Sequence, residues 1–316
     1  MTELLLIALG VALLTAGGEL LIRGALAAAR RLGVSPLLSG LVIVGFGTSA
    51  PELVVSVNAA LARRPDIAIG NVVGSNIGNV LLILGVCALI TPLTVKPLAL
   101  RRDAVAVVAA SVLFIVLVAG SALARPDGVV LLGMLAAYLV WAYVSERTLV
   151  APAAELHLAE EQALTALPHS GLAIGAAVAA GLILLVAGAE SLLNGAVALA
   201  LDMGLSEAVV GLTLVAVGTS LPEFSISLIA AIRGQADVAV GNVLGSNVFN
   251  LLGILGVSAL LQPLPVTGRI IEFDQWVMLA AALLLLVFLH TGRRLSRLEG
   301  GILLLGYVGY LGYSLV

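Results

Sequence analysis

Charged side chains are scarce in this chain: Asp, Glu, Lys and Arg together make up 10% of its 316 residues. A soluble domain carries roughly a quarter charged residues, so the composition excludes an ordinary soluble protein. The chain has one cysteine, Cys87, and three histidines, which excludes an internal disulfide and a zinc site built from Cys and His. Because neither a zinc motif nor a nucleophile–base pair is visible, we predict that the chain is not an enzyme and uses no cofactor.

Apolar sequence is abundant instead, since hydrophobic residues make up 61% of the chain. Apolar runs of about 20 residues, long enough to cross a ~30 Å hydrocarbon core, recur throughout, whereas a β-barrel would show short alternating segments. We therefore predict an all-α polytopic membrane protein in contact with the lipid bilayer, and a net charge of −3 does not indicate a nucleic-acid partner. Ten spans are predicted, at about 3–22, 36–61, 67–91, 104–123, 128–145, 171–193, 206–231, 238–261, 275–291 and 299–316.

One stretch of the chain occurs twice. Gly40–Gly85 matches Gly211–Gly256 at an offset of 171 residues, without a gap and with 24 identities in 46 positions. The duplication predicts two five-span halves, 1–147 and 170–316, joined by a linker at 148–169. An odd number of spans per half places the second half in the membrane upside down, and such inverted repeats are typical of transporters with a site at the midplane between broken helices.

The basic residues predict the orientation of the spans. Of the 15 Lys and Arg residues, eleven fall in loops on the side opposite the N-terminus. The other four, on the N-terminal side, are Arg63, Arg64, Arg125 and Arg269. Because short cytoplasmic loops are enriched in Lys and Arg, we predict both termini outside the cytoplasmic membrane and the linker in the cytoplasm.

Each copy of the repeat contains one carboxylate deep in apolar sequence, within the hexad G-T-S-x-P-E. In the first copy Pro51 lacks an N–H group and disfavours a straight helix, and Gly45 and Gly47 loosen the preceding turn. Thr48 and Glu52 are four residues apart on one face, and Ser49 is within i+3 reach of Glu52. The second copy has the same residues: Gly218, Thr219, Ser220, Pro222 and Glu223. Carboxylates, hydroxyls and freed carbonyls are all hard oxygen ligands, and two copies supply enough for the six to eight that Ca²⁺ takes.

The span after each hexad has a polar stripe with a spacing of four residues. The stripe consists of Asn71, Ser75 and Asn79 in the first copy, and of Asn242, Ser246 and Asn250 in the second. Such residues act either as ligands or as hydrogen bonds between helices, and the same alternatives stay open for Asn76 and Asn247. Glu19 and Glu190 lie nearer the span ends, where a structural or a gating role is expected.

The paired hexads, each followed by G-N-V-x-G-S-N-x-x-N, resemble the α-repeats of the cation/calcium exchanger superfamily, and most of all those of compact prokaryotic sodium/calcium exchangers. The resemblance covers essentially the whole chain. It implies antiport of Ca²⁺ against Na⁺ by alternating access, with Ca²⁺ and Na⁺ as the bound ions. It leaves the oligomeric state open.

The resemblance also implies a role for each site residue. Glu52 and Glu223 would be the central Ca²⁺ ligands, completed by the carbonyls of Thr48 and Thr219. The remaining positions would serve Na⁺: the side chains of Ser49, Ser220, Ser75 and Ser246 and the carbonyls of Gly45 and Ala216 at flanking sites, and Asn79 and Asn250 in the middle. Some relatives have Asp where this chain has Asn250, so the resemblance argues against dependence on K⁺.

Two alternatives to Na⁺/Ca²⁺ exchange stay open at this point. A buried glutamate can bind a proton, so the same carboxylates are compatible with Ca²⁺/H⁺ antiport. A cation channel would also have polar residues at membrane depth, but would not couple one ion to another.

Overall fold

The computed structural model describes residues 2–94, 99–149, 170–202, 218–266, 268–292 and 294–314. All but the first two residues of the predicted linker, and the predicted ligand Ala216, lie outside the described residues. The helices of the first half are α1 (Thr2–Leu32), α2 (Pro36–Thr48), α3 (Ala50–Leu61), α4 (Pro65–Ile90), α5 (Val105–Val118) and α6 (Arg125–Leu149). Those of the second half are α7 (Gly171–Asp202), α8 (Leu221–Ile232), α9 (Ala236–Leu261), α10 (Ile270–Gly292) and α11 (Arg297–Ser314).

The fold is that of a mostly helical polytopic membrane protein. Within the described residues, six helices are long and apolar enough to cross a membrane, namely α1, α4, α6, α7, α9 and α10. The pair α2–α3, bent by 45° at its break, would make a seventh span. The prediction of a helical polytopic membrane protein is therefore confirmed, while the ten spans and their inverted-repeat arrangement stay predictions.

The helices that carry the two hexads have matching bounds. Adding the offset of 171 to Ala50 and Leu61, the ends of α3, gives Leu221 and Ile232, the ends of α8. Both α4 and α9 widen into a π-helical segment, over Asn79–Leu84 and over Phe249–Ile254. Wide turns of this kind are frequent at functional sites because they change which side chains face inward.

Two short antiparallel strand pairs connect the halves at the ends of the helices. Strand β1 (Leu93–Thr94) pairs with β4 (Arg294–Leu295), so that Leu93 faces Leu295. Strand β2 (Ala122–Leu123) pairs with β3 (Leu264–Pro265), so that Ala122 faces Pro265.

Helices α1 and α7 pack against each other along glycines spaced seven residues apart. A Cβ atom added to Gly17 would lie 2.8 Å from the backbone nitrogen of Leu185, and one added to Gly188 would lie 2.8 Å from that of Leu14. The glycines at these contacts are Gly10, Gly17 and Gly24 in α1, and Gly181, Gly188 and Gly195 in α7. Because a side chain would separate the two backbones, glycine is required for this close approach.

Helix α1 is longer than the predicted span 3–22, because an alanine-rich segment continues the helix to Leu32. It ends at Gly33, whose φ of +64° lies in the left-handed region that favours glycine. The amide of Gly33 donates to Arg30 O (3.3 Å) and that of Val34 to Ala29 O (3.0 Å), the pattern of a Schellman motif.

Arg102 was counted among the loop residues in the prediction of orientation, but the structure buries it to 1% exposure. Its guanidinium binds both carboxylate oxygens of Asp103, at 2.5 and 3.0 Å, and donates to Ala142 O at 3.0 Å. Tyr138 donates to the same carboxylate at 2.9 Å. This cluster ties the segment before α5 to α6, so Arg102 does not count as a loop charge.

Candidate functional site: a paired carboxylate centre between the halves

The first hexad breaks its helix where the sequence predicts. Helix α2 ends at Thr48 and α3 begins at Ala50, because Ser49 adopts a non-helical backbone conformation (φ −79°, ψ 9°). Pro51 then stands in the first turn of α3, where its missing N–H group leaves no helical hydrogen bond unmade. Ser220 repeats this conformation before α8 (φ −89°, ψ 9°).

The break places each glutamate in the first turn of a short helix and in the protein interior. Glu52 and Glu223 are each 1% exposed, although a carboxylate at membrane depth is costly. The N-terminus of a helix carries a partial positive charge that favours a carboxylate there. This position is suited to a carboxylate that interacts with a bound cation.

The serines of the hexads bind the carboxylate of the opposite half. Ser49 Oγ donates to Glu223 Oε1 at 2.9 Å, and Ser220 Oγ donates to Glu52 Oε1 at 3.1 Å. The expectation that Ser49 reaches Glu52 along one helix was therefore wrong. The bend at Ser49 removes the helical i, i+3 geometry and turns the hydroxyl towards α8.

Asn71 and Asn242, the first residues of the predicted polar stripes, hold the broken helices in place. The Asn71 side-chain amide donates to the Glu52 carbonyl (3.3 Å) and to Ser56 Oγ (2.9 Å). The Asn242 amide donates equivalently to the Glu223 carbonyl (3.1 Å) and to Ser227 Oγ (2.8 Å). Both amides act here as donors, so they orient the helices that carry the glutamates.

Four asparagines form a hydrogen-bonded cluster between α4 and α9. Asn76 Nδ2 donates to Asn247 O at 3.2 Å, and Asn247 Nδ2 donates to Asn76 O at 3.4 Å. Asn79 Nδ2 donates to Asn247 Oδ1 at 2.9 Å, and Asn250 Nδ2 to Asn76 Oδ1 at 3.1 Å. Asn76 and Asn247 are thus partners between helices, and their side chains fix the orientation of the Asn79 and Asn250 amides.

Several oxygens of this centre are buried but have no hydrogen-bond partner among the residues that the structure describes. They are Glu52 Oε2, Glu223 Oε2, Asn79 Oδ1, Asn250 Oδ1 and Thr219 Oγ1. A buried polar atom without a partner costs free energy, and here the two carboxylate and two amide oxygens come from equivalent positions in both halves. Such oxygens are the ligand type of Ca²⁺, so the arrangement offers a cation the contacts that the protein itself does not supply.

The other predicted ligands lie around these oxygens. Gly45 O accepts from Ser246 Oγ at 3.0 Å, and Ser75 Oγ lies 3.3 Å from Ser220 Oγ. Thr48 Oγ1 is buried, 3.0 Å from Val44 O. Hydroxyl groups of both halves and carbonyl groups of the first half therefore lie beside the residues that carry the carboxylates.

Comparisons with known proteins agree over nearly the full length. The sodium/calcium exchanger protein family matches residues 2–144 and 174–316. The chain is 39% identical over 305 residues to the putative antiporter CaxA of Alkalimonas amylolytica, covering 95% of each protein. It is 34% identical over 338 residues to the sodium/calcium exchanger MaX1 of Methanosarcina acetivorans, covering 97% of each.

A solved structure has the same fold. The sodium-calcium exchanger NCX_Mj, soaked with 2.5 mM Na⁺ and 0.1 mM Ca²⁺, superimposes with a TM-score of 0.83 at 30% identity. The superposition covers 99% of this chain and 98% of that one. The family match, the sequence identity to relatives and the shared fold together show that this chain is a member of the sodium/calcium exchanger protein family.

Proposed function

We propose that the chain is an antiporter that exchanges Ca²⁺ for Na⁺ across the cytoplasmic membrane by alternating access. The observation that carries the proposal is the set of buried oxygens on Glu52, Glu223, Asn79 and Asn250 that have no partner in the described part of the chain. They come in equal numbers from both halves. The names of the exchangers MaX1 and NCX_Mj support the choice of Na⁺ and Ca²⁺.

The ligands would divide between the two ions by charge. In this proposal, Glu52 and Glu223 with the carbonyls of Thr48 and Thr219 hold Ca²⁺. Na⁺ binds through the neutral groups beside them: the side chains of Ser49, Ser220, Ser75, Ser246, Asn79 and Asn250, and the carbonyls of Gly45 and Ala216. Two fixed negative charges balance one Ca²⁺ and are over-neutralised by several Na⁺, so that occupancy by one kind of ion excludes the other.

The proposed architecture is that of ten spans in two inverted five-span halves, with both termini outside. Arg23 and Arg233 would then lie at the cytoplasmic face, and Arg63 and Arg125 at the outer face. The close-packed pair α1–α7 would shift relative to the helices that carry the glutamates and open the site to each face in turn.

Calcium uptake into proteoliposomes tests the proposal. Vesicles loaded with Na⁺ and diluted into buffer free of Na⁺ and K⁺ should accumulate radioactive Ca²⁺, and Glu52→Gln vesicles should not. Uptake without any ion gradient would indicate a channel and would contradict the proposal.

Proton coupling is the second candidate, because carboxylates as buried as Glu52 and Glu223 can exchange a proton for a cation. A parallel set of vesicles with a pH gradient in place of the Na⁺ gradient distinguishes the two functions. Uptake in this set alone would make the protein a Ca²⁺/H⁺ antiporter with the same site.

A further inference from the structure

A cross-helix ion pair connects α1 to the helix that carries Glu223. The Glu19 carboxylate lies 3.0 Å from Arg233 Nη2. Arg233 follows the last residue of α8 directly and caps that helix with its backbone amide. Gly18, beside Glu19, packs so tightly on α8 that an added Cβ atom would lie 2.5 Å from Ile229 Cδ1.

Glu19 also pairs with a residue of its own helix. Arg23 Nη2 lies 2.8 Å from the carboxylate of Glu19, one turn further along α1. This second ion pair does not join two helices. Arg23 therefore provides a matched control for Arg233, because it binds the same carboxylate without connecting α1 to α8.

The equivalent carboxylate in the second half is not tied in this way. Glu190 stands 171 residues after Glu19, is exposed, and forms no ion pair with any residue that the structure describes. The two ends of the α1–α7 pair therefore differ, although the sequence places a glutamate at both. One end is joined to a site helix by an ion pair, and the other has no such ion pair within the described residues.

The position equivalent to Arg233 is Ala62, at the C-terminus of α3, and the next residue, Arg63, is basic. Arg63 follows α3 as Gly234 follows α8, at the offset of 171, and both have positive φ, 56° and 71°. This conformation favours glycine, so an arginine there is strained. Arg63 is exposed and forms no ion pair with the described residues.

We propose that Glu19 and Arg233 are positioning residues that fasten α1 to α8 while one face of the site is closed, and that Glu190 and Arg63, one position beyond the counterpart of Arg233, form an ion pair of the same kind when the other face closes. The inference rests on the exchange function proposed above, and on that orientation the Glu19–Arg233 pair closes the cytoplasmic face. The two ion pairs would bias the equilibrium between the two open states in opposite directions.

The size of the bias follows from the exposure of the pair. Arg233 is 57% and Glu19 27% exposed, and an ion pair with this much solvent contact shifts an equilibrium by roughly two- to five-fold. Apparent affinity at one face scales with the fraction of molecules open to that face. The loss of the pair should therefore change the affinities at the two faces in opposite directions.

The test measures half-saturating Ca²⁺ for exchange at each face, in right-side-out and inside-out membrane vesicles. Glu19→Gln and Arg233→Gln should lower it at the cytoplasmic face and raise it at the outer face, each by about two- to five-fold. Glu190→Gln should raise half-saturating Ca²⁺ at the cytoplasmic face and lower it at the outer face. Arg23→Gln should leave the ratio of the half-saturating Ca²⁺ concentrations at the two faces unchanged. The double variant Glu19→Arg, Arg233→Glu should restore the wild-type ratio.

The outcomes separate this inference from the proposed function. Wild-type exchange with an unchanged ratio in Glu19→Gln and Arg233→Gln, or with equal shifts at both faces, would overturn the positioning role. A wild type that moves no Ca²⁺ at either face would overturn the exchange function, and this inference with it.

Discussion

The two halves of the chain are equivalent at the site and differ around it. At the centre, Ser49 binds Glu223 and Ser220 binds Glu52, at 2.9 and 3.1 Å. Away from the centre the equivalence is lost: the Arg102–Asp103 pair is at most 1% exposed, whereas Arg269 and Asp274, in the corresponding region of the second half, are 42% and 13% exposed.

The difference indicates which residues are constrained by the duplication. A site that is reached from both faces in turn needs equivalent ligands from both halves, and substitutions there would unbalance the two open states. Packing residues further out only have to stabilise the membrane-embedded bundle, which many arrangements do. The comparison therefore separates residues of the site from residues of the scaffold. Substitutions in the site test it through transport, and substitutions in the scaffold test it through stability.

The largest expected effect concerns the equivalence of the two glutamates. Glu52→Gln and Glu223→Gln should each reduce Na⁺-driven Ca²⁺ uptake at least ~100-fold, because one remaining charge cannot balance a divalent ion in the interior. The exposed Glu272→Gln serves as the control and should keep wild-type uptake. Normal uptake by one of the two site variants, in a monodisperse and folded protein, would disprove the equivalence.

A smaller effect is expected where the halves differ in the burial of an ion pair. Asp103→Asn leaves Arg102 buried without its counter-charge and should cost about 3–5 kcal/mol of stability. Asp274→Asn removes a half-exposed pair and should cost about 1 kcal/mol or less. Thermal unfolding of the two purified variants checks the difference, and equal losses would contradict it.

The smallest effect concerns equivalent glycines in α4 and α9. A Cβ atom added to Gly245 would lie 2.2 Å from the carbonyl oxygen of Leu41, whereas one added to Gly74 meets no described atom within 4 Å. Gly245→Ala should therefore destabilise the protein by about 3 kcal/mol. Gly74→Ala should be neutral or slightly stabilising, because alanine favours the helix. Unfolding temperatures in detergent provide the comparison, and a loss of stability in Gly74→Ala would show that its surroundings are also close-packed.

Much of the site could be predicted from the sequence because its signals are local or repeated. Pro51 and the neighbouring glycines predict a helix break wherever they stand, and the break is found at Ser49. The repeat at an offset of 171 identified Glu52 and Glu223 as one pair. The sequence also indicates that Asn71 and Asn242 have equivalent roles, since each follows its glutamate by 19 residues.

What the sequence did not predict depends on contacts between distant segments. The bond of Ser49 with Glu223 requires knowledge of how α3 and α8 meet, and helical periodicity pointed to Glu52 instead. Arg102 is next to an apolar span and looks like a loop residue until α6 is placed against it. Glu19 forms an ion pair with α8, whereas Glu190 forms none with the described residues. This difference depends on how the helices lie relative to one another in one conformation, which the sequence does not specify.

Calcium binding tests the central claim most directly, because the claim is that the two halves together build one site. Titration calorimetry of the detergent-purified protein, in buffer free of Na⁺, should give one Ca²⁺ per chain. Binding should weaken as Na⁺ is added, and either Glu52→Gln or Glu223→Gln alone should abolish it. Two Ca²⁺ per chain, with each substitution removing one, would mean that each half binds its own ion and would contradict the account.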